Sequence, residues 1–112
     1  MSELHFSKHT FFNDSGVPER VEHRLVVKEQ DSSDGLLHGE QLEYYTNGNI
    51  KSKRYFNRGA PNRTHYYFFE DGSLQEVIPF ADGSLHGLFQ SYYSNGVLQI
   101  QKNFIYGKLN GK

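Results

Sequence analysis

The glycines of this 112-residue chain recur at a fixed interval of 24 residues. Ten of the 11 glycines lie on three ladders with that spacing. The ladders are Gly35/Gly59/Gly83/Gly107, Gly48/Gly72/Gly96 and Gly39/Gly87/Gly111, the last with Arg63 in the gap between Gly39 and Gly87. A fixed period between about 20 and 50 residues is typical of stacked units, each too small to bury an apolar face alone. The sequence therefore predicts a repeat protein.

The ladders divide the chain into a capping segment, three full repeats and a fragment. We place the cap at residues 1–34, the repeats at 35–58, 59–82 and 83–106, and the fragment at 107–112. Aromatic residues keep the same period, as in the set Phe56, Phe80 and Phe104. The middle repeat departs at two positions, where Pro61 and Arg63 replace the Leu and the Gly of its neighbours.

Each repeat is predicted to be a β-hairpin. An Asn-Gly or Asp-Gly pair lies midway between two alternating runs, and such pairs are strong hairpin signals because both residues tolerate positive φ. These structural turn residues are Asn47, Gly48, Asp71, Gly72, Asn95 and Gly96. A unit of this length has no room for a helix beside two strands and two turns. We expect an all-β protein whose repeated antiparallel β-hairpins form a single curved meander sheet.

The type of turn decides which residues share a face of the sheet. A two-residue turn would pair Tyr45 with Ile50, whereas a three-residue turn with Gly48 as a bulge pairs Tyr45 with Asn49. The three-residue turn places even positions on one face, and those positions include Leu42, Tyr44, Ile50 and Phe56. We expect this turn, with an apolar even face and a largely polar odd face.

The N-terminal segment is interpreted as a degenerate capping hairpin. Its stretch Phe11–Val17 is similar to Tyr92–Val97 with one inserted residue. A strand is expected around His23–Glu29, followed by a polar loop over Gln30–Asp34. The alternative is a helical cap, since Pro18 followed by Glu19 suits the first turn of a helix. Terminal repeats are commonly atypical.

Two of the repeats resemble the variant MORN repeat. The resemblance rests on Gly35-Leu36-Leu37-His38-Gly39 with Tyr44-Tyr45-Thr46-Asn47-Gly48-Asn49-Ile50, and on Gly83-Ser84-Leu85-His86-Gly87 with Tyr92-Tyr93-Ser94-Asn95-Gly96-Val97-Leu98. It covers residues 35–112 and implies a meander of hairpins. MORN repeats in general serve protein–protein contacts and have been linked to membrane lipids. Bacterial variant repeats often occur in proteins that look like antitoxins or immunity proteins. No catalytic residue carries over.

Charge and composition exclude several function classes. The chain has 12 basic and 13 acidic residues and no cysteine. Without cysteine it can form neither disulfides nor a Cys-based zinc finger. Its balanced charge disfavours non-specific nucleic-acid binding, and its longest apolar run is too short to cross a membrane. We expect a cytoplasmic protein, although the lack of cysteine also fits the periplasm.

The histidines and carboxylates do not form a catalytic pattern. His5 and His9 have the spacing of a helical metal pair, but their flanking residues look like strand. His38 and His86 are two periods apart, which indicates a polar residue at a repeated turn, bonding a neighbouring backbone carbonyl. The sequence contains no nucleophile, phosphate-loop or dinucleotide motif. We expect no enzyme activity, no cofactor and no metal.

Exposed aromatic residues point to protein binding. A single-layer sheet with Tyr and Phe on both faces leaves more apolar surface exposed than a monomer usually does. We expect these rings to bind a protein partner, with basic residues fixing its orientation. The candidate residues are Tyr45, Tyr55, Tyr67, Phe69, Phe89, Tyr93, Lys51, Lys53 and Arg54. The hypothesis is an antitoxin or immunity protein that occludes a cognate toxin.

Two alternative functions stay open. One is a structural or homo-oligomeric scaffold, in which open sheet edges pair across a two-fold axis. The other is a lipid-binding or nucleic-acid-binding module. That alternative rests on a basic cluster interleaved with tyrosines, a pattern that can stack bases and hold phosphates. The cluster is Lys51, Lys53, Arg54, Arg58 and Arg63.

Overall fold

The computed structural model describes residues 4–27 and 35–109, and within these ranges the protein consists of strands and turns without a helix. The first strands are β1 (Leu4–Phe12), β2 (Pro18–Val27), β3 (Leu36–Leu37), β4 (Gly39–Tyr44), β5 (Ile50–Asn57) and β6 (Ala60–Pro61). The others are β7 (Arg63–Phe68), β8 (Leu74–Ala81), β9 (Ser84–Leu85), β10 (Gly87–Tyr92), β11 (Leu98–Ile105) and β12 (Lys108–Leu109).

The strands form one open antiparallel sheet. Its main path runs β1-β2-β4-β5-β7-β8-β10-β11-β12, and the short strands β3, β6 and β9 pair with β2, β5 and β8. The Cα atoms extend over 49 × 39 × 13 Å, so the protein is one layer thick. The predicted all-β meander of hairpins is confirmed. No helix that could cross a membrane occurs in the residues described.

The wide turn of each repeat has the predicted three-residue geometry. The Tyr45 N–H donates to the Asn49 carbonyl at 2.8 Å, and the Gly48 N–H donates to the Tyr45 carbonyl at 2.9 Å. Gly48 has a φ of 91°, in the left-handed region that glycine adopts without strain. The Asn47 Oδ1 closes the turn by accepting from the Asn49 N–H. Equivalent backbone bonds close the turns of the other two repeats.

A β-bulge next to each wide turn overturns the predicted division of faces. Glu43 pairs with Ser52, but Tyr44 pairs with Ile50, so Lys51 is an extra residue. Beyond the bulge, odd positions of one strand share a face with even positions of the next, because the extra residue reverses the alternation. The prediction that even positions lie together was therefore wrong for most of each hairpin. The equivalent extra residues are Glu19, Gln75 and Gln99.

Strand pairing defines two continuous rows across the sheet, one on each face. The row that defines the front face is Arg20, Glu43, Ser52, Tyr67, Glu76, Ser91 and Ile100. The row that defines the back face is Val21, Leu42, Lys53, Tyr66, Val77, Gln90 and Gln101. Paired residues project to the same side of a sheet. The front row is polar or charged except at Tyr67 and Ile100.

A narrow two-residue turn links each hairpin to the next. Arg58 and Gly59, with φ of 48° and 87°, form the turn between β5 and β6. Positive φ at both positions is the type I′ turn of tight hairpins. The N–H of Gly59 donates to the Leu37 carbonyl at 2.8 Å. Each narrow turn is thereby hydrogen-bonded to the preceding repeat, as Gly83 is to Pro61 and Gly107 to Leu85.

Arg63 takes the backbone conformation of the glycines it replaces. Its φ is 60°, and the equivalent Gly39 and Gly87 have φ of 91° and 119°. A Cβ added at Gly87 would lie 3.2 Å from the Cβ of Pro79, so this position also favours glycine for space. The departure of the middle repeat from the glycine pattern thus leaves its hairpin intact.

The N-terminal segment begins with a hairpin of β1 and β2, as the capping interpretation predicted. The helical alternative was wrong, since Pro18 starts β2. The predicted strand begins five residues earlier than expected, because Pro18–Glu22 are part of it. Its predicted end, Lys28 and Glu29, and the predicted loop over Gln30–Asp34 lie outside the described residues.

Two buried positions of the front face are filled by side chains that hydrogen-bond to the backbone. Gln41, 2% exposed, accepts from the N–H of His23 at 2.9 Å and donates to its carbonyl at 2.6 Å. One repeat later, His65 is 3% exposed and its Nε2 donates to the carbonyl of Tyr55 at 2.7 Å. Both side chains bond backbone groups of the neighbouring strand, at a point where the backbone pairing between the two strands has ended. A polar residue here satisfies buried backbone atoms.

Candidate functional site

Two clefts open beside the wide turns on the front face. Cleft 1 has a volume of about 340 Å³ and is lined by Glu43–Thr46 of β4 and its turn, together with residues of β2 and β5. Cleft 2 has a volume of about 520 Å³ and is lined by Ser91–Ser94 of β10 and its turn, together with residues around β7, β8 and β11. The central segments are 48 residues apart. The clefts are therefore the same repeat feature, two periods apart.

The β-bulges supply side chains to both clefts. Glu19 and Lys51 line cleft 1, and Gln75 and Gln99 line cleft 2. Each of these is the extra residue of its bulge. Bulges redirect side chains and occur often beside functional sites. Of these four residues, only Lys51 was predicted from the sequence to bind a partner, because of its charge. Lys51, Gln75 and Gln99 are 24 residues apart, so they could have been found as one repeat position whose residue type varies between repeats.

Three predicted binding residues lie at the same position of successive repeats. Tyr45 lines cleft 1, and Phe69 and Tyr93 line cleft 2. The hydroxyl of Tyr45 donates to the Phe68 carbonyl at 2.7 Å, which fixes its ring against the next repeat. Tyr93 is 51% exposed. The wide-turn edge of the front face thus carries an aromatic residue in each full repeat.

Three other predicted binding residues lie on the front face, farther from the wide turns. Tyr67 is in the front row, between Ser52 and Glu76. The Arg54 guanidinium lies 5.4 Å from the ring centroid of Phe56. Phe89 is two residues from Ser91 in β10 and therefore lies on the same face. It packs edge-on against Phe104 with 6.4 Å between ring centroids. These three side chains contribute to the packing of the front face.

Tyr55 and Lys53 lie on the back face, where they contact Glu40. The Tyr55 hydroxyl donates to Glu40 Oε2 at 3.0 Å, and Lys53 Nζ lies 3.6 Å from the same oxygen. The pKa of Tyr55 is raised, first by this hydrogen bond to a carboxylate and then by burial. The nine predicted binding residues are therefore divided between two faces. The basic cluster is divided as well, since Lys53 and Arg54 are adjacent in one strand.

The electrostatic character of the clefts differs. In cleft 1 the ammonium of Lys51 lies 5.7 Å from the ring centroid of Tyr45, and Glu43 accepts a hydrogen bond from Ser52 at 2.8 Å. Arg20, at its other side, is paired with Glu22 at 3.1 Å. Cleft 2 is lined by a single charged residue, Glu76. Cleft 1 thus contains cations of its own chain, and the lining of cleft 2 carries a negative charge alone.

His38 and His86 are structural, and their main-chain N–H groups bond the carbonyls of His23 and Pro79 at 2.9 and 3.0 Å. Their rings, by contrast, act as acceptors for backbone N–H groups. His38 Nδ1 accepts from the N–H of Arg58 at 3.0 Å, and His86 Nδ1 accepts from that of Tyr106 at 3.2 Å. The rings of His86 and Tyr106 also lie against each other, with centroids 4.3 Å apart.

His5 and His9 lie on one strand, β1. Four residues of a strand span about 13 Å, too far for two imidazoles to share one metal ion. In the ranges that the structure describes, no three His, Asp or Glu side chains are grouped as metal ligands.

Comparison with protein families identifies the repeat. Residues 37–58 and 85–106 match the family model described as MORN repeat variant. The unmatched middle repeat has the same hairpin in the structure, and it is the one that carries Pro61 and Arg63. Comparisons with curated proteins and with solved structures gave no match. Two of the three full repeats of the sheet are therefore similar to the variant MORN repeat.

Proposed function

We propose that this protein is a non-catalytic binding module that engages a protein partner along the wide-turn edge of its front face. The observation that carries the proposal is the repetition of one cleft, with its flanking bulges and its aromatic residue, at positions 48 residues apart. A repeated concave surface is how solenoid proteins commonly bind extended partners. Tyrosine is enriched in binding surfaces because it provides a large contact area at low entropic cost.

The specific form of the proposal is an antitoxin or immunity protein. Its support is the resemblance of the repeats to those of bacterial proteins of this kind. Inhibition would follow from occlusion, because a sheet about 39 Å across can cover the mouth of an active site without chemistry of its own. The aromatic residues would supply contact area, while Lys51 and Arg20 in cleft 1 would orient the partner through charge.

The test replaces the three aromatic residues of the wide-turn edge. The variant Tyr45→Ser, Phe69→Ser, Tyr93→Ser is compared with a control, Phe6→Ser, Tyr106→Ser, whose rings are exposed and line neither cleft. Both are used as bait in extracts of the native cell, and captured proteins are quantified against the unmodified protein. We expect the amount of specifically captured protein to fall at least tenfold for the cleft variant and to stay unchanged for the control.

Circular dichroism and urea unfolding establish that both variants are folded. Equal capture by a folded cleft variant would show that the binding surface lies elsewhere. A captured partner whose enzymatic activity is unchanged by saturating amounts of this protein would refute the antitoxin form and leave the binding module standing.

A homo-oligomeric scaffold is the second candidate function, and the exposed strand β11 favours it. Leu98, Ile100 and Ile105 are 44%, 37% and 50% exposed, and Lys102 is the one charged residue of the strand. β12 pairs only with Phe104 and Ile105, so the rest of β11 is an open edge among the described residues. Edge strands are usually protected from pairing by charge. Light scattering of the full chain distinguishes the candidates: a stable dimer that reverts to a monomer in Leu98→Lys, Ile100→Lys would support the scaffold.

A further inference from the structure

We propose that cleft 2 binds an arginine side chain of the protein partner, an inference that rests on the proposed function. The guanidinium would stack on Tyr93 and pair with Glu76. Cleft 1 is an internal template for cleft 2, because the two clefts are equivalent positions of the same repeat.

In cleft 1 the chain supplies its own cation. The ammonium of Lys51 lies 5.7 Å from the ring centroid of Tyr45, within the range of a cation–π contact. Lys51 is the bulge residue of β5, so its side chain is directed by a feature that every full repeat has. The wide-turn edge is thus built to place a cation at the aromatic ring that follows β4.

In cleft 2 the same position holds no cation. Gln99 replaces Lys51 as the bulge residue, and the ring of Tyr93, equivalent to Tyr45, is 51% exposed. The other lining side chains are aromatic, aliphatic, amide or hydroxyl groups, apart from Glu76. The cleft is also larger than cleft 1, at about 520 Å³ against 340 Å³. It has an aromatic platform and room for a cation from outside the chain.

The carboxylate of Glu76 is placed to pair with that cation. It lies in the front row between Tyr67 and Ser91 and is half-buried. Among the side chains that the structure describes, none forms an ion pair with it. The other carboxylate of the front row, Glu43, instead accepts a hydrogen bond from Ser52. A half-buried carboxylate gains more from an incoming charge than an exposed one, because water screens it less.

A buried hydroxyl provides the second, independent indication of a ligand. Ser91, opposite Glu76 in the ladder, is 6% exposed, and its Oγ has no hydrogen-bond partner among the described residues. Ser52, by contrast, donates to Glu43 at 2.8 Å. A guanidinium has five N–H donors in a plane and can bond a carboxylate with two of them while stacking on an aromatic face. Because Ser91 lines the cleft, its hydroxyl would accept a further N–H in the proposed complex. The combination favours arginine over lysine.

The experiment uses the full chain labelled with ¹⁵N and titrated with N-acetyl-arginine amide, while amide chemical shifts are recorded. We expect saturable shifts at Gln75, Ser91, Tyr93 and Gln99. Glu76→Gln should weaken binding at least tenfold. Gln99→Lys should do the same, since it copies the arrangement of Lys51 and fills the cleft with the chain's own cation. In Lys51→Gln, new shifts should appear at Tyr45 in cleft 1.

Three results would overturn the inference. The first is the absence of saturable shifts. The second is binding to Glu76→Gln and Gln99→Lys as tight as binding to the unmodified protein. The third is binding of N-acetyl-lysine amide as tight as that of N-acetyl-arginine amide. Any of these, combined with partner capture that still depends on Tyr45, Phe69 and Tyr93, would refute the arginine site and leave the proposed function in place. Arginine binding, together with partner capture that does not depend on the three aromatic residues, would refute the proposed function and leave the arginine site in place.

Discussion

The Nδ1 atom of His38 accepts a hydrogen bond from the backbone N–H of Arg58, 3.0 Å away, and so joins one repeat to the narrow turn that ends it. The contact recurs at His86 and Tyr106 at 3.2 Å. In the middle repeat, Asn62 replaces the histidine, and its Oδ1 accepts from the N–H of Asp82 at 3.4 Å. The ladder therefore selects for an acceptor atom at this position and not for imidazole chemistry.

The first prediction is that asparagine replaces histidine at this position with little loss. His86→Ala removes the acceptor for the Tyr106 N–H, whereas His86→Asn keeps one, as Asn62 does. A hydrogen bond of this kind contributes about 0.5–1.5 kcal/mol. We expect His86→Asn to be more stable than His86→Ala by roughly 0.5–1 kcal/mol, measured as the free energy of unfolding in urea. Equal stability of the two variants would contradict an acceptor role.

The second prediction concerns Arg58, a non-glycine residue at a φ of 48° in a type I′ turn. Asparagine tolerates the left-handed region better than arginine does, and it is preferred at the first position of this turn. Arg58→Asn should raise the free energy of unfolding by roughly 0.5–1 kcal/mol. Lys102→Asn is the control, since it also removes one positive charge from an exposed position but lies within β11. The control should give no gain, and a gain of the same size would assign the effect to charge.

The sequence was sufficient to predict the repeat, the hairpin and the wide turn, because each depends on local residues such as Asn47 and Gly48. It was not sufficient to predict the faces. The bulge at Lys51 depends on pairing between strands, and one extra residue exchanges the faces of all positions beyond it. The alternation of apolar and polar residues gave no sign of it, because Gln41 and His65 are polar and yet buried. The clefts depend on the same bulges and could not be predicted either.

The third prediction tests the buried side chain of Gln41. Its amide bonds both the N–H and the carbonyl of His23, at 2.9 and 2.6 Å. Gln41→Ala would leave the part-buried N–H of His23 without its partner, at about 1–3 kcal/mol, whereas the His23 carbonyl would still accept from the N–H of His38 at 2.9 Å. We expect a loss of about 1–3 kcal/mol in the free energy of unfolding. Gln90→Ala is the matched control, because Gln90 makes an exposed side-chain bond to Gln101, and its loss should stay below about 1 kcal/mol.

The fourth prediction is that His65 makes stability depend on pH. Its ring is buried between Phe56 and Phe80, with centroids 5.4 and 4.7 Å away. Burial lowers the pKa of His65 from its ordinary value of 6.5 because it disfavours the imidazolium, and the nearby charge of Arg54 acts in the same direction. The hydrogen bonds that the ring donates to backbone carbonyls oppose this shift without cancelling it.

Between the lowered pKa of the folded state and 6.5, the unfolded chain therefore binds a proton at His65 that the folded chain does not. Stability should be unaffected by this group above about pH 7 and should fall as the pH drops through 6.5 toward the lowered pKa of the folded state. His65→Gln is the matched variant, because glutamine does not titrate and already occupies the equivalent position as Gln41. Urea unfolding at several pH values between about 5 and 8 should show a steeper loss for the unmodified protein than for His65→Gln. Parallel curves for the two proteins would mean that His65 is not the source of the pH dependence.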